Sequence, residues 1–407
     1  MSNSIKKLWI VSELFYPEET STSYILTKIA NKLCDKYEVN VICGPGVYDF
    51  DKPTVSSSLL INSSIKIYRT ETLRLYKNSL LLRLLRFGIL SLQLSFSIAK
   101  RVGRKDKVLI VTNPAPLLLF ASILRSLKKF HLAIIVHDVF PENTIPGGIF
   151  KSNKNLFYKI LKFVFDKAYS GADLLIVLGR DMKEIIESKI QGNGREPEIH
   201  IIENWAETST IHQKPREQST YLRDSHENEI VFQYAGNLGR VQGLYDLLKV
   251  IKEAKNQATH FCIVGDGAVK NDLISYAEKY NLREVSFRGS YSRDQQDSIL
   301  SACDIGIVTL AEGMYGLCVP SKTYNILAAG KPVLFIGNRE SEIGKMVEEN
   351  KIGYCFSPRE QEKLILFLQN ISFESLSEFE QMGYVSRALA ETKYSEDDIL
   401  NKYLDVL

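Results

Sequence analysis

Thirteen short apolar runs, set between stretches of helical periodicity, constrain this chain of 407 residues more than any other feature of it. In the first half the runs predict strands at Lys7–Ser12, Val39–Cys43, Ile65–Tyr68, Val108–Thr112, Leu132–His137, Leu174–Leu178 and Glu198–Ile202. In the second half they fall at Ile230–Ala235, His260–Val264, Val285–Arg288, Ile305–Leu310, Val333–Ile336 and Gly353–Phe356. Most are apolar at successive rather than alternate positions, which marks strands buried on both faces of a parallel sheet. Helical patterns lie between them; Leu244, Leu247, Leu248, Ile251 and Ala254 make one apolar helix face. Such alternation on both sides of a polar break predicts an α/β chain of two doubly wound, Rossmann-like domains facing a cleft. The predicted domains are 1–205 and 229–385, joined by a linker at 206–228. A C-terminal helix over 386–407 is expected to pack back toward the first domain. Ligands of such folds bind at the carboxyl ends of the strands, so chemistry is sought there.

Charge divides the chain. Residues 1–203 carry 29 Lys+Arg and 19 Asp+Glu, and residues 204–407 carry 22 and 29, so the first half favours an anionic surface and the second does not. The total of +3 gives no reason to expect nucleic acid. Six scattered cysteines without a C-x-x-C pair indicate neither a disulfide framework nor a zinc site and fit a reducing compartment. The Leu8–Val11 run is too short for a signal peptide, and no stretch of about 20 residues lacks charge. The expected location is cytoplasmic.

Four glycine-bearing turns follow strands of the second half. Gly236, Asn237, Gly239, Arg240, Gln242 and Gly243 lie in the first, where backbone N–H groups and a helix N-terminus can hold phosphate. Gly265 and Asp266 lie in the second, and Arg288 with Tyr291 in the third. Around Val319–Pro332 the pattern predicts a short helix with Ser321 as N-cap, Gly330 at its end and Lys322 in its first turn, a mobile ammonium for phosphate. Each turn alone is also compatible with an ordinary βα connection, and Lys322 with a solvated lysine. Neither G-x-x-x-x-G-K-[ST] nor G-x-G-x-x-G is present. Asp49 and Asp51 form the only Asp-x-Asp, a pattern that holds Mg²⁺ or Mn²⁺ or, more commonly, a solvated turn. No metal site is expected.

In this order and spacing the motifs resemble GT-B glycosyltransferases of the family 4 type, with the flavour of the bacterial O-antigen, capsule, colanic-acid and N-acetylfucosamine transferases. The resemblance rests on Gly236–Gly243, Ile263–Gly267, Ser301–Ile305 leading into Glu312-Gly313, and Pro320–Pro332, with Phe15–Glu18 and His137–Glu142 on the acceptor side. It implies a metal-independent, retaining hexosyltransferase without cofactor. The donor would be a UDP-sugar, of an N-acetylated or 6-deoxy hexosamine. The acceptor would be a polyprenyl-diphosphate-linked saccharide at the cytoplasmic face of the inner membrane.

Within it, His137 would bond the donor sugar, handle the acceptor proton or, as a structural residue, bond a neighbouring carbonyl; Asp138 would act as base or cap its turn, and Glu312 would hold donor hydroxyls. Three departures stand out. Asn237 and Gln242 replace the family's Arg and Lys, Asn325 replaces the second Glu that bonds the ribose, and Thr20–Ser23 replaces a glycine pair, offering Ser21 and Thr22 to the acceptor. Glu312 and Asn325 are also 13 residues apart where the family's two Glu are eight. A nucleotide-sugar epimerase of the same fold and a non-catalytic sugar-nucleotide sensor are the other two functions in view.

Residues 74–107 hold nine Lys+Arg and one acid. Read as a helix over 79–104, they predict a basic stripe through Arg83, Arg86, Lys100, Arg101 and Arg104 opposite a leucine-rich face, suited either to peripheral attachment on an anionic membrane or to packing of the apolar face on the sheet with the arginines solvated.

Overall fold

Strands β1 (Lys7–Ser12), β2 (Glu38–Cys43), β3 (Lys66–Arg69), β4 (Lys107–Val111), β5 (His131–Val136), β6 (Leu174–Val177) and β7 (Glu198–Ile201) lie within a residue or two of where the apolar runs predict them. They form one parallel sheet in the order β3-β2-β1-β4-β5-β6-β7. The computed structural model describes residues 6–18, 20–45, 59–71, 80–221 and 228–407; Asp49 and Asp51 lie outside them. Helices α1 (Ser21–Leu33), α2 (Leu80–Arg101), α3 (Pro116–Lys128), α4 (Leu156–Ser170) and α5 (Arg180–Ile190) link the strands. Right-handed crossovers put α2 to α5 on one face of the sheet and α1 on the other. Neighbours α2 with α3, α3 with α4 and α4 with α5 pack accordingly.

In the second unit, β8 (Ile230–Ala235), β9 (Thr259–Val264), β10 (Val285–Arg288), β11 (Ile305–Thr309), β12 (Val333–Ile336) and β13 (Gly353–Phe356) form a parallel sheet ordered β10-β9-β8-β11-β12-β13. Its helices are α6 (Leu244–Ala254), α7 (Lys270–Lys279), α8 (Gln296–Ser301), α9 (Lys322–Ala328), α10 (Glu342–Asn350), α11 (Gln361–Asn370) and α12 (Ser375–Thr392), while α13 (Glu396–Val406) begins in this unit and belongs to the first from Leu400 onward. All five predicted apolar positions of α6 are buried, packed into a core with Phe232, Phe261 and Ile305. Each such Leu or Ile contributes about 1.5–3 kcal/mol by leaving water.

The units divide the chain differently from the predicted domains. The first comprises the residues up to Asn143, Ser152–Ile202 and Leu400–Leu407; the second comprises Thr144–Lys151 and Glu203–Ile399. The described part of the predicted linker belongs to the second unit: Arg387 Nη1 donates to the Ile211 carbonyl at 2.7 Å, and Arg216 pairs with Asp304 at 3.4 Å. Where one helix was expected over 386–407, α12 and α13 stand there, separated after Thr392.

The basic stripe also needs correction. Helix α2 ends at Arg101, so Arg104 lies in the turn beyond it, while Ser79 and the Arg83 side chain are outside the described residues. The Arg86 guanidinium turns inward to the buried carboxylate of Glu13. Arg101 lies 4.7 Å over the Tyr68 ring and donates to Ser97 Oγ at 3.1 Å, and Lys100 is exposed. Ser91, Ser95 and Ser97 are buried, whereas Leu92 and Phe96 face outward. The serines reach the core because small side chains permit close packing, and Ser91 and Ser95 satisfy their hydroxyls on the carbonyls one turn earlier, at 2.7 and 2.6 Å.

Candidate active site

In the second sheet the strand order reverses between β8 and β11, and a crevice at the carboxyl ends of such a pair is where α/β folds place ligands. The turn after β8 carries Gly236 to Gly243, and the turn after β11 carries Ala311 and Glu312. The Ala311 N–H donates to the Val241 carbonyl at 2.9 Å, so the two turns close on each other. Behind them the turn after β9 packs against the first: Gly236 N–H donates to the Val264 carbonyl at 2.9 Å, and Leu238 N–H to the Asp266 carbonyl at 2.9 Å. This approach demands glycine. Gly265 has φ +145°, and a Cβ on it would stand 1.9 Å from the Gly236 carbonyl oxygen. Gly265→Ala is therefore expected to destabilise the protein by about 3 kcal/mol, combining backbone strain with overpacking, as urea unfolding would measure.

Lys322 stands at the centre of this arrangement. Its Nζ would be 3.0 Å from a Cβ on Gly236, whose φ is +147°, so the missing side chain leaves room for the ammonium. The same Nζ lies 3.4 Å from the centroid of the Tyr234 ring. That nitrogen is buried and has no hydrogen-bond partner, and burial lowers its pKa to about 7 against a smaller opposing effect of Cys318. It is thus not the mobile, solvated group the sequence suggested. Tyr234 donates to the Asn237 carbonyl at 2.7 Å and to Gln242 Oε1 at 3.3 Å, which fixes both the ring and the Gln242 side chain. Arg240 is exposed in a 3-10 turn of the same loop, with Asn237 also exposed. A diphosphate here would meet one buried cation and one solvated one.

The remaining donor-side residues fall into distinct roles. Asp266 accepts from its own neighbour's N–H, Gly267, at 2.8 Å, which shapes the turn. Arg288 is exposed at the end of β10, its carbonyl accepting from Gly265 N–H at 3.2 Å. Burial pushes the Tyr291 hydroxyl up to about 12. Two expectations fail. Ser321 already has helical dihedrals and caps nothing with its side chain, because α9 follows directly from Pro320-Ser321. Asn325 does not present its amide to a ribose: Nδ2 donates to Glu207 Oε1 at 3.1 Å and Oδ1 accepts from Glu207 N–H at 3.2 Å. Both ends are consumed by Glu207, one by its backbone N–H and one by its buried carboxylate, which also pairs with Arg293. Glu312 is largely exposed and accepts from Arg359 Nε at 2.7 Å, so surface pairing holds it rather than a buried site.

In the first unit the order reverses between β1 and β4. Ser21 and Thr22 open α1 just beyond β1, with Thr20 Oγ1 capping by accepting from Ser23 N–H at 3.2 Å. Thr112 follows β4, and its Oγ1 accepts from the N–H groups of both His137 and Asp138 at 3.1 Å. His137 thus sits one residue beyond β5 rather than at its end. Its Nε2 is buried without a partner, and burial lowers the imidazole pKa to about 4. Burial raises the Asp138 carboxyl to about 6. Near neutral pH the pair is a neutral imidazole beside a carboxylate poised to take a proton.

Among known proteins, residues 220–372 match the family described as glycosyl transferases group 1. Over 398 residues, 98% of this chain and 96% of the relative, the sequence is 33% identical to the probable glycosyltransferase WbjE of Pseudomonas aeruginosa. The chain belongs to the group 1 glycosyltransferases. This transferase is also 23% identical, over 80% of each chain, to the putative colanic acid biosynthesis glycosyl transferase WcaI of Escherichia coli K12. Its fold is similar to that of Anabaena Alr3699/HepE, solved in complex with UDP and glucose, with a TM-score of 0.69 and 15% identity over 98% of this chain and 99% of the other. Its two parallel Rossmann-like sheets with flanking helices are those of the GT-B glycosyltransferases.

Several residues of the candidate site escaped the sequence. Thr112 anchors the His137–Asp138 backbone, yet nothing marks it after an apolar run. Glu142 is held by Lys189 Nζ at 2.7 Å and by Lys162 at 3.0 Å, and Lys189 also pairs with Asp166 at 2.6 Å. Phe140 N–H donates to Tyr169 Oη at 3.3 Å, so the segment carrying His137 and Asp138 is tied at both ends. Lys189 did have a signal: it shares a helix face with the buried Met182, Ile186 and Ile190 of α5. Among the described residues no three His, Cys, Asp or Glu gather as a metal-holding group.

Proposed function

We propose that this glycosyltransferase moves a sugar from a UDP-sugar to a polyprenyl-diphosphate-linked saccharide in bacterial surface polysaccharide synthesis, working at the cytoplasmic face of the inner membrane. The observation that carries the donor half is the buried, unpartnered ammonium of Lys322 against Gly236. An unpaired cation is costly to bury, and a diphosphate would supply the missing acceptors. HepE, solved with UDP and glucose, supports UDP as the nucleotide, and WcaI's name supports a polysaccharide product. In the proposed step the bond between the sugar's anomeric carbon and the diphosphate oxygen breaks. Lys322 and Arg240 take up the developing charge as preorganised electrostatics, which needs no metal. The acceptor oxygen bonds to the anomeric carbon, with retention, and its proton passes to Asp138. The sugar is an N-acetylated or 6-deoxy hexosamine.

UDP release should be followed across a panel of UDP-sugars, with and without lipid-linked acceptor, in buffer containing EDTA. Acceptor-dependent release, undiminished by EDTA, is the expected result. Conversion of the donor to an epimer without acceptor would give the protein to the epimerase reading. UDP binding without turnover on any acceptor would make it a sensor.

A further inference from the structure

Ten of the large apolar side chains that stand exposed lie on α2, α3 and α4, the adjacent helices that cover one face of the first sheet. On α4, Leu156, Phe157, Ile160, Phe163 and Val164 follow helical spacing and make one outward stripe, with Leu156 73% exposed and Phe157 65%. Phe96 of α2 and Leu127 of α3 are each 73% exposed beside it in the same layer. The opposite side of α4, through Tyr158, Phe165 and Tyr169, is already buried. A water-soluble surface seldom carries an apolar stripe of this size without a partner.

The charges around the stripe say which partner. Helices α2, α3 and α4 together contain nine Lys and Arg against one acid. That acid, Asp166, is buried and paired with Lys162 and Lys189. Lys159 and Lys167 are exposed on α4, and Lys167 Nζ lies 4.3 Å over the Phe163 ring. Exposed acids return only at α5, with Glu184 and Glu187. We infer that the outer face of α2, α3 and α4, centred on the α4 stripe, docks on an anionic lipid bilayer. Apolar side chains enter the acyl boundary while lysines snorkel to the headgroups. A second copy of this face would set like charges against each other, and nucleic acid would leave the apolar centre uncovered. No described helix is long and apolar enough to cross a membrane, so the face lies on the bilayer.

This surface differs from the arginine stripe predicted on α2, since Arg86 is turned into the fold. It deepens the reading of a membrane-borne acceptor, but its test contains neither donor nor acceptor, so its failure would leave the transfer reaction untouched. The full chain is sedimented with vesicles of phosphatidylcholine, with or without phosphatidylglycerol, at low and high salt. Binding to the anionic vesicles alone is expected, weakened by salt. Lys159→Gln with Lys167→Gln should weaken it about thirtyfold and blunt the salt effect. Phe157→Ser, Ile160→Ser and Phe163→Ser together should weaken it at least about tenfold at either salt. Because these side chains are exposed, the melting temperature should hold. Lys255→Gln with Lys279→Gln, in the second unit, should change nothing. Unchanged binding in both the lysine and the apolar variants overturns the proposal. So does a parent that is a dimer in solution, binds no vesicles and becomes monomeric on apolar substitution, because the face is then an interface between copies.

Discussion

Lys322→Met is expected to cost the enzyme its donor while raising its melting temperature. The ammonium is buried without a hydrogen-bond partner, so the folded protein carries a charge that only the Tyr234 ring face offsets, and methionine removes it. A gain of about 1–3 kcal/mol is expected from relieving that group. The gain depends on pH in a definite direction. The Lys322 pKa is lowered to about 7 in the folded chain, from an ordinary value of 10.5. Below about 7 both states carry the proton and the cost is full. Between 7 and 10.5 the unfolded chain binds a proton that the folded chain does not, so the parent recovers stability as pH rises. The advantage of the methionine variant should therefore shrink over that range in calorimetric melts. Ligand binding should show the same linkage. A diphosphate stabilises the charged form, so UDP binding should take up protons between about pH 7 and 9, and affinity should fall as pH rises there. Losing the charge-assisted contact should weaken UDP by about 1.5–3 kcal/mol. Unchanged UDP affinity in the methionine variant would remove Lys322 from the site.

The residue type at position 322 was legible in the sequence, and its burial was not. The inner strands were legible because a strand buried on both faces writes its environment into consecutive residues; β8 is buried at all six of its positions, whereas the edge strands β3, β7 and β10 are at most partly buried. The same logic located α6 through its one apolar face. Contacts between distant positions leave no such trace. Glu207 claims Asn325 across 118 residues, and Glu13 claims Arg86 across 73. Helix α2 shows the limit of periodicity itself. Its mixture of leucines and serines admits two buried faces, and packing buried the serines while leaving Leu92 and Phe96 outside. Ser321 failed for a local reason, since a residue already in the helical region cannot cap with extended geometry.

For His137 and Asp138, burial acts alone on each group and in opposite directions, which makes their roles separable. The imidazole is held neutral down to about pH 4, so it should add no limb to the rate profile between pH 5 and 8. The carboxyl, raised to about 6, should give kcat/KM an acid limb near that value if it takes the acceptor proton. Asp138→Asn is expected to lower kcat/KM by about 10²–10⁴-fold and to abolish the limb. Stability supplies an independent readout. From about pH 4 to 6 the unfolded chain protonates His137 where the folded chain does not, which makes stability rise with pH. Over the same range the folded chain protonates Asp138 where the unfolded chain does not, which makes stability fall with pH. In the parent the two slopes cancel. Relative to it, Asp138→Asn should gain stability with rising pH, and His137→Gln should lose it. Each difference should approach one proton, about 1.4 kcal/mol per pH unit, in denaturant titrations across that window. Curves parallel to the parent in both variants would mean that neither group is held in its neutral form by the fold, and the proton acceptor would then have to be sought elsewhere in the first unit.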